Sequence, residues 1–355
     1  MLNSLNIGVL QLSMEPVQET VIMAKACEDA GFDAFWIAEA YPWWRKHSFE
    51  ARSSTAILAV IASQTRRIQL GWGIISPYTR HPVQIAMEAR VMQDLAGGRF
   101  LLGLGASKIF MKEIGEGEGE KVGPATAMRE SIEIVRGVLK GDAFDYRGKV
   151  FAASVPPLKP DAHASRSVPP IYVAGTGPAM QRLSGSVGDG LLTASITTPA
   201  FVRYSKKNMD DGAARAGRDA SKLILGSVIV GSIGRDAKQG KEGAREQAAM
   251  YLANKVQNIK GSADVLLESA GITFDELQPV ADAMERGGRK AAARAVSDEL
   301  LKKVCPIAGT PDECIQRIEE YRAAGCTHIM LEIWGEDRTG QAKLFGDAVL
   351  PHFRK

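Results

Sequence analysis

The chain has 355 residues, with 44 Lys+Arg against 41 Asp+Glu for a net charge of +3, and 45% of it is hydrophobic. That hydrophobicity excludes wholesale disorder, the small positive surplus gives no ground for nucleic-acid binding, and no apolar run reaches the ~18 residues of a membrane span. Four cysteines without a C-x-x-C pair, and a start (MLNSLN) lacking the basic and apolar regions of a secretory signal, lead to the expectation of a reducing cytoplasm.

Residues 5–12 (LNIGVLQL) predict a first strand. Residues 16–30 carry apolar side chains at Val17, Val21, Met23, Ala24 and Cys27, a helical spacing stopped by Gly31. A second strand over 34–38 (AFWIA), an apolar helix over 55–62 and a third strand over 68–75 follow. The helix over 81–95 is entered at Pro82 and ended by Gly97-Gly98. Next come a strand over 100–104 and a helix over 125–139. Residues 141–169, with several Gly and Pro, read as an excursion. A strand over 171–174 passes through a Gly-Thr-Gly-Pro turn into a short helix ending near Gly185. Then come a strand over 189–194, a helix over 199–216 and a strand over 223–233. Residues 237–304 are Ala-, Lys- and Glu-rich and mostly helical, with breaks near Gly261, Gly271 and Gly287-Gly288. A helix over 311–324, capped by Thr310 and stopped by Gly325, a strand over 327–333 and a helix over 341–350 complete the pattern.

Eight nearly continuous apolar strands, each followed by helix, are what buried parallel strands look like. The expected class is α/β, a (β/α)8 TIM barrel with its chemistry at the carboxyl ends of the strands. A doubly wound open sheet is the alternative. Against it, Gly103-Leu-Gly105-Ala-Ser-Lys108 has lysine where a dinucleotide fingerprint needs Gly or Ala. The segments at about 141–169 and 237–304 read as insertions in one domain spanning 1–355.

In a barrel the loops after the strands matter most. After the second strand, Glu39 is either an acid/base group or a hydrogen-bond partner for backbone. Trp43 and Trp44 follow it, as walls for a flat ligand or as packing under a lid. After the third, the glycines of Gly71-Trp72-Gly73-Ile74 mark a bulge or a close backbone approach, against which a ring system can lie. His81, before a proline at a helix start, reads as structural. After the fourth, Gly105, Ala106 and Ser107 permit backbone contact with a cofactor, and Lys108 offers a cation. After the fifth, Gly175-Thr176-Gly177 opens a helix whose N–H groups favour a phosphate, or is a plain tight turn. The five histidines lack metal-ligand spacing, so no metal is expected, and no G-x-S-x-G elbow occurs.

Five segments carry a resemblance: GFDAFWIAEA (31–40), GWGIISPYTRHPVQIAMEA (71–89), GGRFLLGLGAS (97–107), PPIYVAGTGPAMQRLSGSVGDGLL (169–192) and IAGTPDECIQRIEEYRAAGCTHIML (307–331). Together they resemble the luciferase-like oxidoreductases, in particular the branch of methylenetetrahydromethanopterin reductase and related enzymes using coenzyme F420. The resemblance implies a barrel of the bacterial luciferase-like type that transfers hydride between F420 and a small organic substrate. It implies a non-prolyl cis peptide at Gly73-Ile74 behind the cofactor ring, cofactor contacts from Gly105, Ala106 and Ser107, and a phosphate at Gly175-Thr176-Gly177. Trp43 falls near a tryptophan that lines the site in dehydrogenase members. Glu39 and Trp43 are thereby the catalytic candidates, and Trp43 and Trp44 the substrate-binding ones. An FMN-dependent monooxygenase fed by a partner flavin reductase is the alternative, and a non-catalytic barrel relative a further one. Members acting on alcohols or sugar phosphates carry Asp-His where this chain has Glu39-Ala40, and flavin monooxygenase members often carry Glu-His. The imidazole expected to assist proton transfer is therefore missing. Where the former carry a Glu after the strand-four glycines, the nearest aligned residue here is Lys108. Members are often dimers, so a homodimer acting on a small molecule, with no nucleic-acid or membrane partner, is expected.

Overall fold

A computed structural model describes residues 5–39, 50–106, 122–158, 167–256 and 262–354. Strands β1 (Asn6–Leu12), β2 (Ala34–Ala38), β3 (Gln69–Trp72) and β4 (Phe100–Gly105) lie side by side in chain order. An antiparallel hairpin of β5 (Phe144–Arg147) and β6 (Ala152–Val155) stands apart from them. Strands β7 (Ile171–Ala174), β8 (Gly190–Thr193) and β9 (Ile224–Ile233) continue the main sheet, and a short β10 (Ile307–Gly309) flanks the end of β9. The last strand, β11 (His328–Ile333), inserts between β9 and β1, and the pairing of β8 with β9 closes an eight-stranded parallel barrel. The expected (β/α)8 architecture is therefore observed.

The helices that cover the barrel are α1 (Val17–Ala30), α2 (Ser54–Gln64), α3 (Pro82–Leu95), α4 (Pro124–Lys140), α5 (Pro178–Val187) and α6 (Pro199–Arg215). Four more lie between β9 and β10: α7 (Ala237–Val256), α8 (Ser262–Ala270), α9 (Phe274–Ala295) and α10 (Asp298–Val304). The last two are α11 (Pro311–Ala323) and α12 (Arg338–Ala348). Their ends follow local chemistry. Thr310 and Glu313 form a reciprocal capping box on α11, and Gly31 ends α1 at φ 87°, a conformation in which a Cβ is costly. His81 Nδ1 accepts from Val83 N at 3.2 Å and caps α3, which is the structural role read for it. Among the described residues no helix is long and apolar enough to cross a membrane.

Several elements depart from expectation. The third strand stops at Trp72 rather than at 75. The peptide Gly73-Ile74 is cis, and parallel pairing resumes only at Ile75, opposite Leu104. The 141–169 excursion contains the β5–β6 hairpin, and β10 is an additional strand. The final helix begins at Arg338, because Asp337 caps it through Gly340 N at 2.8 Å. The break expected at Gly287-Gly288 is a kink inside α9, with Gly288 at φ 66°.

The barrel interior explains many glycines. Trp36 is fully buried at its centre, T-shaped against both Tyr172 and His328 at 5.6 and 5.4 Å. Its indole N–H donates to His328 Nε2 at 3.2 Å. A Cβ at Gly71 would meet the Trp36 ring at 2.2 Å, and one at Gly103 would meet the Trp72 carbonyl oxygen at 2.0 Å. These two glycines therefore make room for the protein's own indole and backbone rather than for a ligand. Close packing leaves no space for another methyl there.

Candidate active site

Above the Trp36 layer, at the carboxyl ends of the strands, lies a cavity of about 410 Å³, within the range of small-molecule sites. Its inner wall is apolar, with Leu10 and Leu12 from β1, Leu192 from β8, Val228 from β9 and Met330 from β11. Gly73, Gly105, Ala106 and Gly175 form one flank together with Ile74 and Thr176, and α7 supplies Tyr251, Asn254 and Lys255. A flat ring can therefore lie against backbone on one side and meet polar groups on the other.

The bulge is held from both neighbouring strands. Gly73 N donates to Ile37 O at 2.9 Å, and Glu39 N to Ile74 O at 3.2 Å. On the other side Ile75 N donates to Gly103 O and Gly105 N to Ile75 O, at 3.1 and 3.0 Å. The backbone that borders the cavity is thus fixed in place before any ligand arrives.

Glu39 lines the cavity but is not free. Arg80 grips it with two hydrogen bonds, Nη1 to Oε2 at 2.8 Å and Nη2 to Oε1 at 2.7 Å, while Arg80 Nε lies 3.4 Å from Glu88. Burial opposes the guanidinium charge, yet Glu39 and Glu88 raise the Arg80 pKa above its ordinary value. A carboxylate forked by arginine is a poor proton carrier, since both oxygens are spent on a cation that cannot give up its proton.

The Gly175-Thr176-Gly177 turn leads directly into α5, whose N-cap, Gly177, offers no side-chain bond. Gln181 Nε2 holds the turn by donating to Thr176 O at 3.1 Å. The first free N–H groups of α5 thus stand beside the cavity edge formed by Gly175 and Thr176. Gly175 also has an internal reason to be glycine, because a Cβ would lie 2.4 Å from Met180 Cγ.

One polar cluster had no counterpart in the sequence reading. Glu332, fifth in β11 and the acidic residue of that strand, is 1% exposed. Tyr251 Oη lies 2.6 and 2.7 Å from its two carboxyl oxygens, Gln247 Nε2 donates to it at 3.3 Å, and Ser195 Oγ at 3.4 Å. Burial pushes the Glu332 pKa up to about 7, although all three partners favour the ionised form. Tyr251 is held well above its ordinary value by burial and by the neighbouring Glu332. An acidic residue in a buried strand is the sequence signal that could have found it.

Of the candidates from sequence, the cavity brings together Glu39, Gly73, Ile74, Gly105, Ala106, Gly175 and Thr176. Gly177 caps the adjoining helix. Trp43, Trp44, Ser107 and Lys108 lie outside the described residues. Arg80, Tyr251, Ser195 and Glu332 are the additions.

A closed parallel barrel with a ligand-sized cavity at the carboxyl ends of its strands defines a TIM-barrel architecture of the kind that hosts active sites. Residues 4–328 match the model of the luciferase-like monooxygenase family, and the chain belongs to that family. It is 31% identical over 338 residues to the 5,10-methylenetetrahydromethanopterin reductase of Archaeoglobus fulgidus, covering 93% of this chain and 94% of the relative. It is 28% identical to the F420-dependent glucose-6-phosphate dehydrogenase of Nocardia farcinica, covering 95% and 94%. The solved coenzyme F420 dependent tetrahydromethanopterin reductase from Methanopyrus kandleri superposes with a TM-score of 0.86 at 27% identity, covering 99% and 100% of the two chains.

Proposed function

We propose that this protein is an oxidoreductase that moves hydride between coenzyme F420 and a small organic substrate, in the manner of a methylenetetrahydromethanopterin reductase. The observation that carries the reading is the cavity flank of Gly73, Ile74, Gly105 and Ala106, backbone fixed by hydrogen bonds with Ile74 as its one large side chain. A deazaflavin ring can lie along such a flank; the glycines themselves answer to the protein's own packing, since a Cβ at Gly73 would meet Leu10 Cδ1 at 2.9 Å and one at Gly105 would meet Ile74 Cγ1 at 2.8 Å. The phosphate of the cofactor would be held by Gly175, Thr176 and the N–H groups after Gly177 at the start of α5. Bound there, F420 would supply the hydride chemistry. The protein orients the two reactants, excludes water with its apolar inner wall, and keeps Glu39 as a fixed charge paired to Arg80. Glu39 and Trp43 would border the reacting atoms, with Trp44 beside the substrate.

The binding test uses the purified protein with F420 and with FMN, followed by fluorescence. Saturable F420 binding without comparable FMN binding supports the reading. Tight FMN binding with no affinity for F420 overturns it in favour of a flavin-dependent monooxygenase supplied by a reductase, a reading that the family's monooxygenase members favour. We also propose a cytoplasmic homodimer, which size-exclusion chromatography with light scattering tests.

A further inference from the structure

The chemistry just proposed leaves a proton unaccounted for. When a C=O or C=N carbon gains a hydride, the π electron pair moves to oxygen or nitrogen, and that atom must take a proton. The position expected for an assisting imidazole is Ala40, and Glu39 is forked by Arg80. Among the described residues the other ionisable groups lining the cavity are Tyr251 and Lys255, four residues apart and so on one face of α7.

The geometry points to Tyr251 as the group that passes a proton between the cavity and Glu332, with Glu332 as the proton store behind it. Tyr251 borders the cavity and touches both carboxyl oxygens of Glu332. A phenol has one hydrogen: a carboxylate would have to share it between the contacts of 2.6 and 2.7 Å, whereas a protonated carboxyl accepts it on one oxygen and donates back to the phenol oxygen from the other. Ser195 bonds to both members and lines the same cavity, and Gln247 completes the Glu332 shell from α7. These are the polar groups on Glu332 among the described residues. Across the ladder β9 presents Val230, and among the described residues the charged ones lining the cavity are Glu39 and Lys255.

The step balances as follows. The substrate carbon gains the hydride, its heteroatom takes the Tyr251 hydroxyl proton, and the Glu332 proton replaces that one, leaving a carboxylate. Oxidation of an alcohol or amine runs the same transfers backwards. The proposal rests on the oxidoreductase reading and deepens it: the substrate class is a carbonyl or imine, or the alcohol or amine formed from it, with its heteroatom at Tyr251.

Infrared difference spectroscopy of the ligand-free protein between pH 5 and 9 tests the store directly. A carboxylic-acid band that titrates near neutrality and disappears in Glu332→Gln is the expected result. A Glu332 already ionised at pH 5.5 overturns the proposal, whatever F420 does. Turnover supplies the second arm. Wild-type reduction should fall above about pH 7, and Glu332→Gln should lose that limb while kcat drops at least tenfold and KM changes little. Tyr251→Phe, which removes only the hydroxyl, should lower kcat likewise. An unchanged pH profile in folded Glu332→Gln overturns the proposal. Failure of wild type to bind F420 instead overturns the cofactor reading, and the infrared arm separates the two failures.

Discussion

His328 and Glu332 sit on one strand and both face the barrel interior, and burial moves them oppositely. Burial lowers His328 to about 4 from 6.5, although Asp33 works slightly against it. Its contribution to stability is complete above about pH 6.5 and is lost as pH falls through 4. Burial raises Glu332 from 4.5 to about 7, so its folded form favours the protonated state, and stability is lost as pH rises from 4.5 through 7. Each displacement is worth roughly 3 kcal/mol, and between about pH 4.5 and 6.5 the two offset one another. Glu332→Gln removes only the second, so its stability relative to wild type should rise by roughly 3 kcal/mol between pH 4.5 and 8. Urea melts across that range check it, and two parallel curves would contradict it. At Glu39 the partner is what counts. Arg80→Ala would leave a carboxylate of 10% exposure without its cation, at a cost of roughly 3–5 kcal/mol. Arg80→Lys keeps the charge but loses the fork, and should recover only part of that in the same melts.

At the scale of elements, close backbone approach and buried carboxylates decide what can change. Gly103→Ala would place a methyl 2.0 Å from the Trp72 carbonyl oxygen. Backbone cannot swing aside, so β3 and β4 must part, and a loss of about 3 kcal/mol is expected in thermal melts. The β5–β6 hairpin has a similar dependence on one side chain. Glu130 on α4 accepts from Lys149 N, Val150 N and Phe151 N at 2.7, 2.9 and 2.9 Å. Glu130→Ala leaves those donors without their acceptor, costing about 1–3 kcal/mol, and hydrogen exchange should quicken across 144–155 while the barrel strands stay protected. The eight barrel strands were legible because each is a local apolar run, and their helices because Thr310, Pro82 and Gly31 act through neighbouring residues. The hairpin was not, since FDYR and AASV are half-exposed and carry no apolar block. The glycines were legible as a set, but Gly71 and Gly103 answer to Trp36 and Trp72, partners visible only once the strands are paired. Tyr251 looked like one more residue of an Ala-rich helix until α7 was laid over the barrel mouth, where it meets Glu332.

For the whole molecule, ligand binding and folding are one equilibrium. A cofactor that binds only the folded barrel at a hundred times its Kd adds about 2.7 kcal/mol. F420 should therefore raise the melting temperature measurably where equal FMN does not. The order of the strands has a further consequence, for biosynthesis. β11 is last among the barrel strands in the chain, yet it lies between β9 and β1. Until it leaves the ribosome, a nascent chain presents two unpaired parallel edges, an invitation to wrong partners. Trp36 also waits for its acceptor and Tyr251 for its carboxyl, since His328 and Glu332 arrive together in that one strand. A chain released at residue 326 should remain protease-sensitive and engage chaperones, whereas the 355-residue chain should close in a single late event. A protease-resistant product from the shortened chain would show that closure is not the committing step.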